Sequence, residues 1–262
     1  MIKHQIKVLQ SLSASLLQGG RGVTGTPHPK QPALPLQLYE FEGSPFCRRV
    51  REVLTLLNLD YEVYPCPKKG TRYRPTVQAL GGKLQFPFFV DQNTNQQLYE
   101  SQKIIDYLFA HYGKTGRTPK KYQHYPAIPV VGVAVTLANM ARGTFAQPQN
   151  AKRAAPEQLL ELWGFDASPF TRLVRCTLSE LELPFVFHNV AKERWQDMGL
   201  ATRRFKSGPY VPLAGGKRET VLVRMGGKIQ VPYLEDPNTG AQLFESEQII
   251  TYLKQTYADE LS

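Results

Sequence analysis

Gln37-Leu-Tyr-Glu-Phe-Glu-Gly-Ser-Pro-Phe-Cys47 and Glu161-Leu-Trp-Gly-Phe-Asp-Ala-Ser-Pro-Phe-Thr171 are the same sentence written twice, 124 positions apart. Each runs a short, largely apolar segment into Ser-Pro, the mark of a strand that turns into a helix. Serine suits the N-cap because its hydroxyl accepts one of the free N–H groups of the first turn. Proline suits the first helical position, where its missing N–H costs nothing.

The same landmarks follow both stretches. Gly82-Lys-Leu-Gln-Phe-Pro87 returns as Gly227-Lys-Ile-Gln-Val-Pro232, and Leu98-Tyr-Glu-Ser101 as Leu243-Phe-Glu-Ser246. Ile104-Ile-Asp-Tyr-Leu108 returns as Ile249-Ile-Thr-Tyr-Leu253. These later landmarks are 145 positions apart, so the second copy holds 21 extra residues. They are placed near 199–224, a basic stretch with Gly and Pro that reads as a surface loop and a candidate lid. A fainter match, Leu16 to Gly22 against Leu137 to Gly143, precedes each copy at an offset of 121. The repeating unit then reads as a helix, a linker and a domain.

Within a copy the order is strand, helix, strand, variable segment, strand, strand, helix. Val50, Val53, Leu54 and Leu57 give the first helix an apolar stripe at spacings of three and four. Pro87 to Val90 and Gln97 to Tyr99 flank an Asp-Gln-Asn-Thr-Asn turn, a hairpin signal. A right-handed first crossover makes the opening strands parallel, with their C-terminal ends on one sheet edge. The expected organisation is an N-terminal helix and Pro-rich linker (1–36), a first domain (37–113), a basic linker with an apolar helix (114–159) and a second domain (160–262).

Composition sets the class. Of 262 residues 42% are hydrophobic, with 13 Tyr and 13 Phe, enough for two packed cores. Three cysteines make no complete disulfide framework and no zinc spacing, so a reducing compartment and no metal are expected. The first 18 residues lack a clean apolar core and read as no secretory signal, leaving a cytoplasmic or plastid-stromal location. The net charge of +10 is concentrated in acid-free stretches, Met1 to Tyr39, Tyr107 to Pro156 and Met198 to Arg218. Solvated linkers are the favoured reading; an anionic membrane surface or an acidic protein is the alternative partner. No specific nucleic-acid contact is expected. Ala127 to Ala138 is apolar but too short to span a bilayer, and reads as a helix buried between domains.

Chemistry concentrates at three repeated places. Ser44 and Ser168 start helices, where free N–H groups and the positive dipole end favour an anion such as a thiolate. Phe86-Pro87 and Val231-Pro232 each open a short strand facing that turn. Glu100-Ser101 and Glu245-Ser246 open the last helix, another site suited to a carboxylate. Every one of these features also serves folding. Their recurrence in one order, twice, is what makes them specific.

On these motifs the chain resembles the N-terminal, thioredoxin-like half of glutathione transferases and glutaredoxins. The resemblance covers about Gln37 to Tyr112 and Leu160 to Tyr257. The Ser44-Pro-Phe-x-x-Arg-Val50 segment is similar to that of plant tau-class enzymes, and the tandem layout is similar to a cyanobacterial and plastid double thioredoxin-fold family. The resemblance implies an α/β fold of two βαβαββα domains and a glutathione-binding thiol or transferase-type enzyme. It makes Ser44 and Ser168 the candidate catalytic serines. Phe86, Pro87, Glu100, Ser101, Val231, Pro232, Glu245 and Ser246 become candidate glutathione contacts, with a cis-proline loop pairing with the cysteinyl backbone. The partner would be a thiol or a small electrophile.

The pattern departs from the family twice. No all-helical transferase domain is expected after either copy. Of the glutaredoxin Cys-Pro-x-Cys motif only the second cysteine is present, as Cys47, with Thr171 in the other copy. Cys47 is nonetheless a candidate for deglutathionylation. Cys66, on the same sheet edge beside Lys68 and Lys69, is a candidate redox partner for it. A non-catalytic module that docks through basic linkers is the alternative function.

Overall fold

Both copies start with a strand whose inward residues cannot reach water. β1 (Leu36–Glu40) turns at Ser44 into α2 (Pro45–Leu56), then β2 (Tyr61–Pro65), α3 (Arg74–Gly81), β3 (Phe88–Asp91), β4 (Gln96–Tyr99) and α4 (Ser101–Tyr112). β5 (Leu160–Gly164), α6 (Pro169–Glu180), β6 (Phe185–Asn189), α7 (Lys217–Arg224), β7 (Tyr233–Asp236), β8 (Ala241–Phe244) and α8 (Ser246–Tyr257) repeat the order. Helix α1 (Ile2–Leu17) precedes the first copy and the single turn α5 (Lys120–Gln123) follows it. The computed structural model describes residues 2–17, 19–123, 141–147, 154–199 and 204–258. The apolar stretch Ala127 to Ala138 lies outside the described residues. Among them no all-helical domain follows either copy, and no helix is long and apolar enough to cross a membrane.

The fold is α/β, with the thioredoxin-like βαβαββα order present twice. β1 pairs β2 in parallel and β5 pairs β6 in parallel, as the crossover rule requires. The two hairpins, β3–β4 and β7–β8, are antiparallel. Each hairpin turn is held by an aspartate. Asp91 accepts from the Asn93 backbone N–H at 2.8 Å and from the Tyr107 and Tyr112 hydroxyls at 2.6 and 2.5 Å. Asp236 does the same with Asn238, Tyr252 and Tyr257.

The two copies share one sheet. Its order is β4-β3-β1-β2-β6-β5-β7-β8, with β2 and β6 pairing antiparallel at the centre. Glu62 faces Val186, its own counterpart at the 124-residue offset, so a pseudo-two-fold axis passes through that pair. A thioredoxin-like sheet ends on its second strand, an edge with unpaired N–H and C=O groups. Joining the two edges satisfies both. The apolar core follows: Tyr61, Val63, Phe185 and Phe187 belong to one continuous cluster with Val50, Val53, Leu54, Ile104, Val174, Leu178 and Ile249. Each such side chain contributes about 1.5–3 kcal/mol by leaving water.

Helix α2 is buried on more than its apolar stripe. Arg48, Arg49, Arg51, Glu52 and Thr55 are buried as well. Part of the reason lies across the axis. The Arg51 guanidinium bonds Glu40, lies 3.4 Å from Glu42 and 3.0 Å from Asp166. Arg175 reaches Glu42 at 2.9 Å and Asp166 at 3.0 Å.

The linkers cross between copies and pack there, which corrects the expectation of solvated basic connectors for two stretches. Residues 22–25, ahead of the first copy, lie on the second: Ala167 N–H donates to Gly22 O at 3.0 Å and Gly25 N–H to Lys192 O at 3.0 Å. Residues 143–146, ahead of the second copy, lie on the first: Gly43 N–H donates to Gly143 O at 3.3 Å and Ala146 N–H to Lys68 O at 2.9 Å. The two sets of contacts are equivalent. The 121-residue match therefore marks a reciprocal strap. In the second copy, Lys217–Arg224 form α7, the counterpart of α3, so most of the additional residues precede this helix instead of extending to 224 as a loop.

Candidate functional site

The two Ser-Pro corners are helix caps. Ser44 has extended φ/ψ (−80°, 123°), and its Oγ accepts the Cys47 N–H at 3.3 Å. Ser168 Oγ accepts the Thr171 N–H at 3.2 Å and the Thr171 hydroxyl at 2.9 Å. Both serines are buried, 4% and 2% exposed, beneath the crossing straps. A Cβ placed on Gly43 would meet Thr144 Oγ1 at 1.9 Å, so only glycine lets the strap settle there.

The thiols are held neutral. Burial pushes the Cys47 thiol up to about 12, with the nearby Glu40 adding to it, and the bond from Ser44 offsets only part. Burial likewise raises Cys66 well above its ordinary value, against the attraction of Arg74. The cation acting on Cys66 is Arg74, not the Lys68 and Lys69 that adjacency suggested. Lys68 instead lies over the Phe145 ring of the strap, at 5.7 Å. The expected thiolate at the helix start fails for a dielectric reason: the corner is dry, and desolvation outweighs the helix dipole. Cys47, Cys66 and Cys176 are all free and buried.

The second place lies where β3 and β7 begin. The peptide bonds Phe86-Pro87 and Val231-Pro232 are both cis, as the resemblance implies. The Arg74 guanidinium covers the Phe86 ring at 4.9 Å.

The third place is strained. Ser101 and Ser246 are the first helical residues, and the N-caps are Glu100 and Glu245, at φ 68° and 63°. A non-glycine residue there costs of order 1–3 kcal/mol. The same outlier recurs at equivalent positions in both copies. Gln85 donates to the Glu100 carboxylate, and Gln230 to that of Glu245.

Here the copies diverge. Arg49 donates to Ser101 Oγ at 3.1 Å and to Gln102 Oε1 at 2.7 Å. The equivalent residue in α6 is Leu173, which has no donor. The N-terminus of α4 is thus reinforced by a cation. That of α8 carries Glu247 in its first turn and opens on a cavity lined by Glu245, Ser246 and Phe170. Sequence reasoning missed Arg49. Its signal was the Arg48-Arg49 pair one turn into α2, whose second member is replaced in the other copy. Among the described residues no group of three or more His, Cys, Asp or Glu side chains is placed to hold a metal ion.

The family model for the glutathione S-transferase N-terminal domain matches twice, over residues 38–117 and 162–260. The chain belongs to this family. Among solved structures, a chain described as Leishmania TDR1, a unique trimeric glutathione transferase, aligns with 14% identity over 88% of this chain and 68% of its own, at a TM-score of 0.27. No curated protein sequence shows a significant match. As a tandem glutathione S-transferase N-terminal protein, the chain carries two Ser-Pro corners, two cis-prolines and two Glu-Ser pairs on one sheet, at opposite ends of antiparallel halves.

Proposed function

We propose that the chain binds glutathione at its first copy and joins it through its sulfur to a small electrophile. The observation that carries this is Arg49 donating to Ser101 Oγ at the start of α4. The γ-glutamyl end of glutathione presents a carboxylate and an ammonium group. A helix N-terminus favours the carboxylate by about 0.3–1 kcal/mol, more when partly buried, and a guanidinium beside it adds to that field. Glu100, exposed and turned out at positive φ, suits the ammonium. Phe86 offers its backbone to the cysteinyl part, and Ser44, buried beneath the strap, reaches the sulfur only if residues 143–146 draw back. The reacting thiol in this reading is glutathione's own. Its sulfur bonds to the electrophilic carbon, the leaving group departs and the thiol proton passes to solvent. The buried, neutral Cys47 and Cys66 take no part, which favours transfer over deglutathionylation. At the second copy, Leu173 and Glu247 give Val231, Pro232, Glu245 and Ser246 a poorer setting for the same carboxylate.

Calorimetric titration with glutathione tests the assignment. One molecule is expected per chain, with affinity reduced at least about tenfold by Arg49→Leu, which copies the other half, or by Ser101→Ala. Ser246→Ala should leave it unchanged. No heat of binding overturns the function, and two equal sites overturn the choice of copy. Conjugation of chlorodinitrobenzene, compared between the wild type and Ser44→Ala, tests the transfer step.

A further inference from the structure

Where the two copies meet, one seam stays open. A cavity of about 620 Å³ lies between the C-terminal ends of α2 and α4 in the first copy and residues 192–198 of the second. Residues 24–27, from the strap, complete its wall. Leu57 and Phe109, both buried, supply apolar surface from the first copy, and Trp195 and Met198 supply it from the second. The volume falls within the range of small-molecule sites, which combine apolar walls with a few polar groups.

Trp195 is held in water on a braced loop. It is 70% exposed, and its ring meets that of Phe205, itself exposed, at 5.8 Å. The brace is Asp197, which is buried. Its carboxylate accepts the Glu193 and Arg194 N–H groups at 3.0 and 3.1 Å and the Tyr210 hydroxyl at 3.0 Å. An indole fixed in water beside an apolar cavity gains when an apolar ligand covers it.

The polar part of the wall is cationic. Lys114, Lys192 and Arg194 line the cavity against one carboxylate, Glu193. Arg194 is engaged, 3.8 Å from Asp197. Lys192 donates to the Asp197 backbone carbonyl at 2.7 Å, and Lys114 is exposed. Among the described residues, neither ammonium has a carboxylate within ion-pair distance. Burial pushes the Lys192 ammonium down to about 8, and repulsion from Arg218 and Arg204 adds to it against the pull of Asp197. Glu193 opposes an anion only weakly: its Oε1 accepts the Arg218 N–H at 2.9 Å, and burial raises its pKa. The helix-end carbonyls that would repel an anion are occupied. Leu56 O accepts the Thr26 N–H at 2.9 Å, and Phe109 O accepts the Gly113 N–H at 3.1 Å. A molecule with an apolar body and an anionic end gains from both the wall and the two ammonium groups.

We propose that this cavity between the copies binds an apolar small molecule ending in a carboxylate. None of its lining residues is a candidate glutathione contact, so the proposal does not rest on glutathione binding.

Titration of the full chain with cis-parinaric acid, a fluorescent fatty carboxylate, tests it against the methyl ester of the same acid, which keeps the chain and loses the charge. The acid is expected to saturate at one molecule per protein and to bind at least about tenfold more tightly than the ester. Lys114→Glu alters an exposed side chain, so the fold should stay intact while the acid weakens at least about tenfold and the ester does not. Trp195→Ala should weaken acid and ester alike. Lys254→Glu is the control: it makes the same charge change at an exposed position on α8, outside the cavity, and should change nothing. An ester that binds as tightly as the acid, a titration that does not saturate, a Lys114→Glu protein that binds like the wild type, or equal weakening by Lys254→Glu would overturn the proposal.

Discussion

Arg51 and Asp166, 115 positions apart in the chain, meet at 3.0 Å in the middle of the molecule, each side chain only 1% exposed. Arg175, the counterpart of Arg51, meets the same Asp166 oxygen at 3.0 Å. Glu42, the counterpart of Asp166, faces both arginines. The charges that join the copies are thus two pairs of equivalent residues exchanged across the axis. Their mutual attraction holds Asp166 down at about 2, while burial pushes Glu40 up to about 7 despite the guanidinium of Arg51.

Removing one arginine strands carboxylates where water cannot reach them. Arg175→Ala is expected to lower the unfolding free energy by about 3–5 kcal/mol, measured by urea denaturation. A loss under about 1 kcal/mol would mean that the cluster is hydrated. A double-mutant cycle of Arg51→Ala with Asp166→Ala should give a coupling above about 0.5 kcal/mol.

His188 supplies a pH dependence. Its Nδ1 lies 3.2 Å from Asp60 of the first copy and its Nε2 3.1 Å from Glu161 of the second. Burial alone would lower its pKa, but the bonds to both carboxylates outweigh burial and raise it above 6.5. The folded state therefore holds this proton more tightly than the unfolded chain. That contribution is complete below pH 6.5 and fades as pH climbs through the raised value. Urea midpoints of the wild type should fall between pH 6 and pH 9 by more than those of His188→Gln, about pH values chosen to bracket the ordinary imidazole. Parallel curves for the two proteins would reject the role.

The thiols should be inert until the chain opens. With burial lifting the Cys47 thiol to about 12, its thiolate fraction at pH 8 is about a thousandfold below that of a free cysteine. Native protein is expected to resist iodoacetamide at Cys47 and Cys66, and both should react in urea. Rapid native labelling, or a Cys47–Cys66 disulfide found by mass spectrometry after mild oxidation, would show that the corner opens.

The straps can be pried at one atom. Gly43→Ala sets its methyl against Thr144 Oγ1 and should cost about 1–3 kcal/mol in thermal or urea unfolding. Thr144→Ala removes that oxygen and should recover part of the loss. An unaffected Gly43→Ala protein would place the strap elsewhere in solution.

Much of this was legible in the residues. Ser44-Pro45 and Ser168-Pro169 start helices for local reasons, and they do so in the structure. The Asp91-x-Asn93 turn closes a hairpin because a carboxylate two residues ahead can bond the Asn backbone, and it recurs at Asp236. Ser101 looks like a cap, yet Glu100 takes the cap at positive φ, a conformation that propensity disfavours and only the surrounding fold enforces. Arg49 was passed over because a basic residue in an amphipathic helix ordinarily faces solvent.

The sequence by itself determined the duplicated unit, its element order, the parallel start of each half and the family of its motifs, because these follow from short-range rules: caps, periodicity and turn chemistry. Only the tertiary structure decided that β2 and β6 fuse the halves into one sheet, that each linker straps the opposite copy, and that Cys47 stays a thiol. Those outcomes depend on which surfaces lose water to one another. Residues such as Arg51 and Asp166 cannot disclose that until the folded chain brings them together.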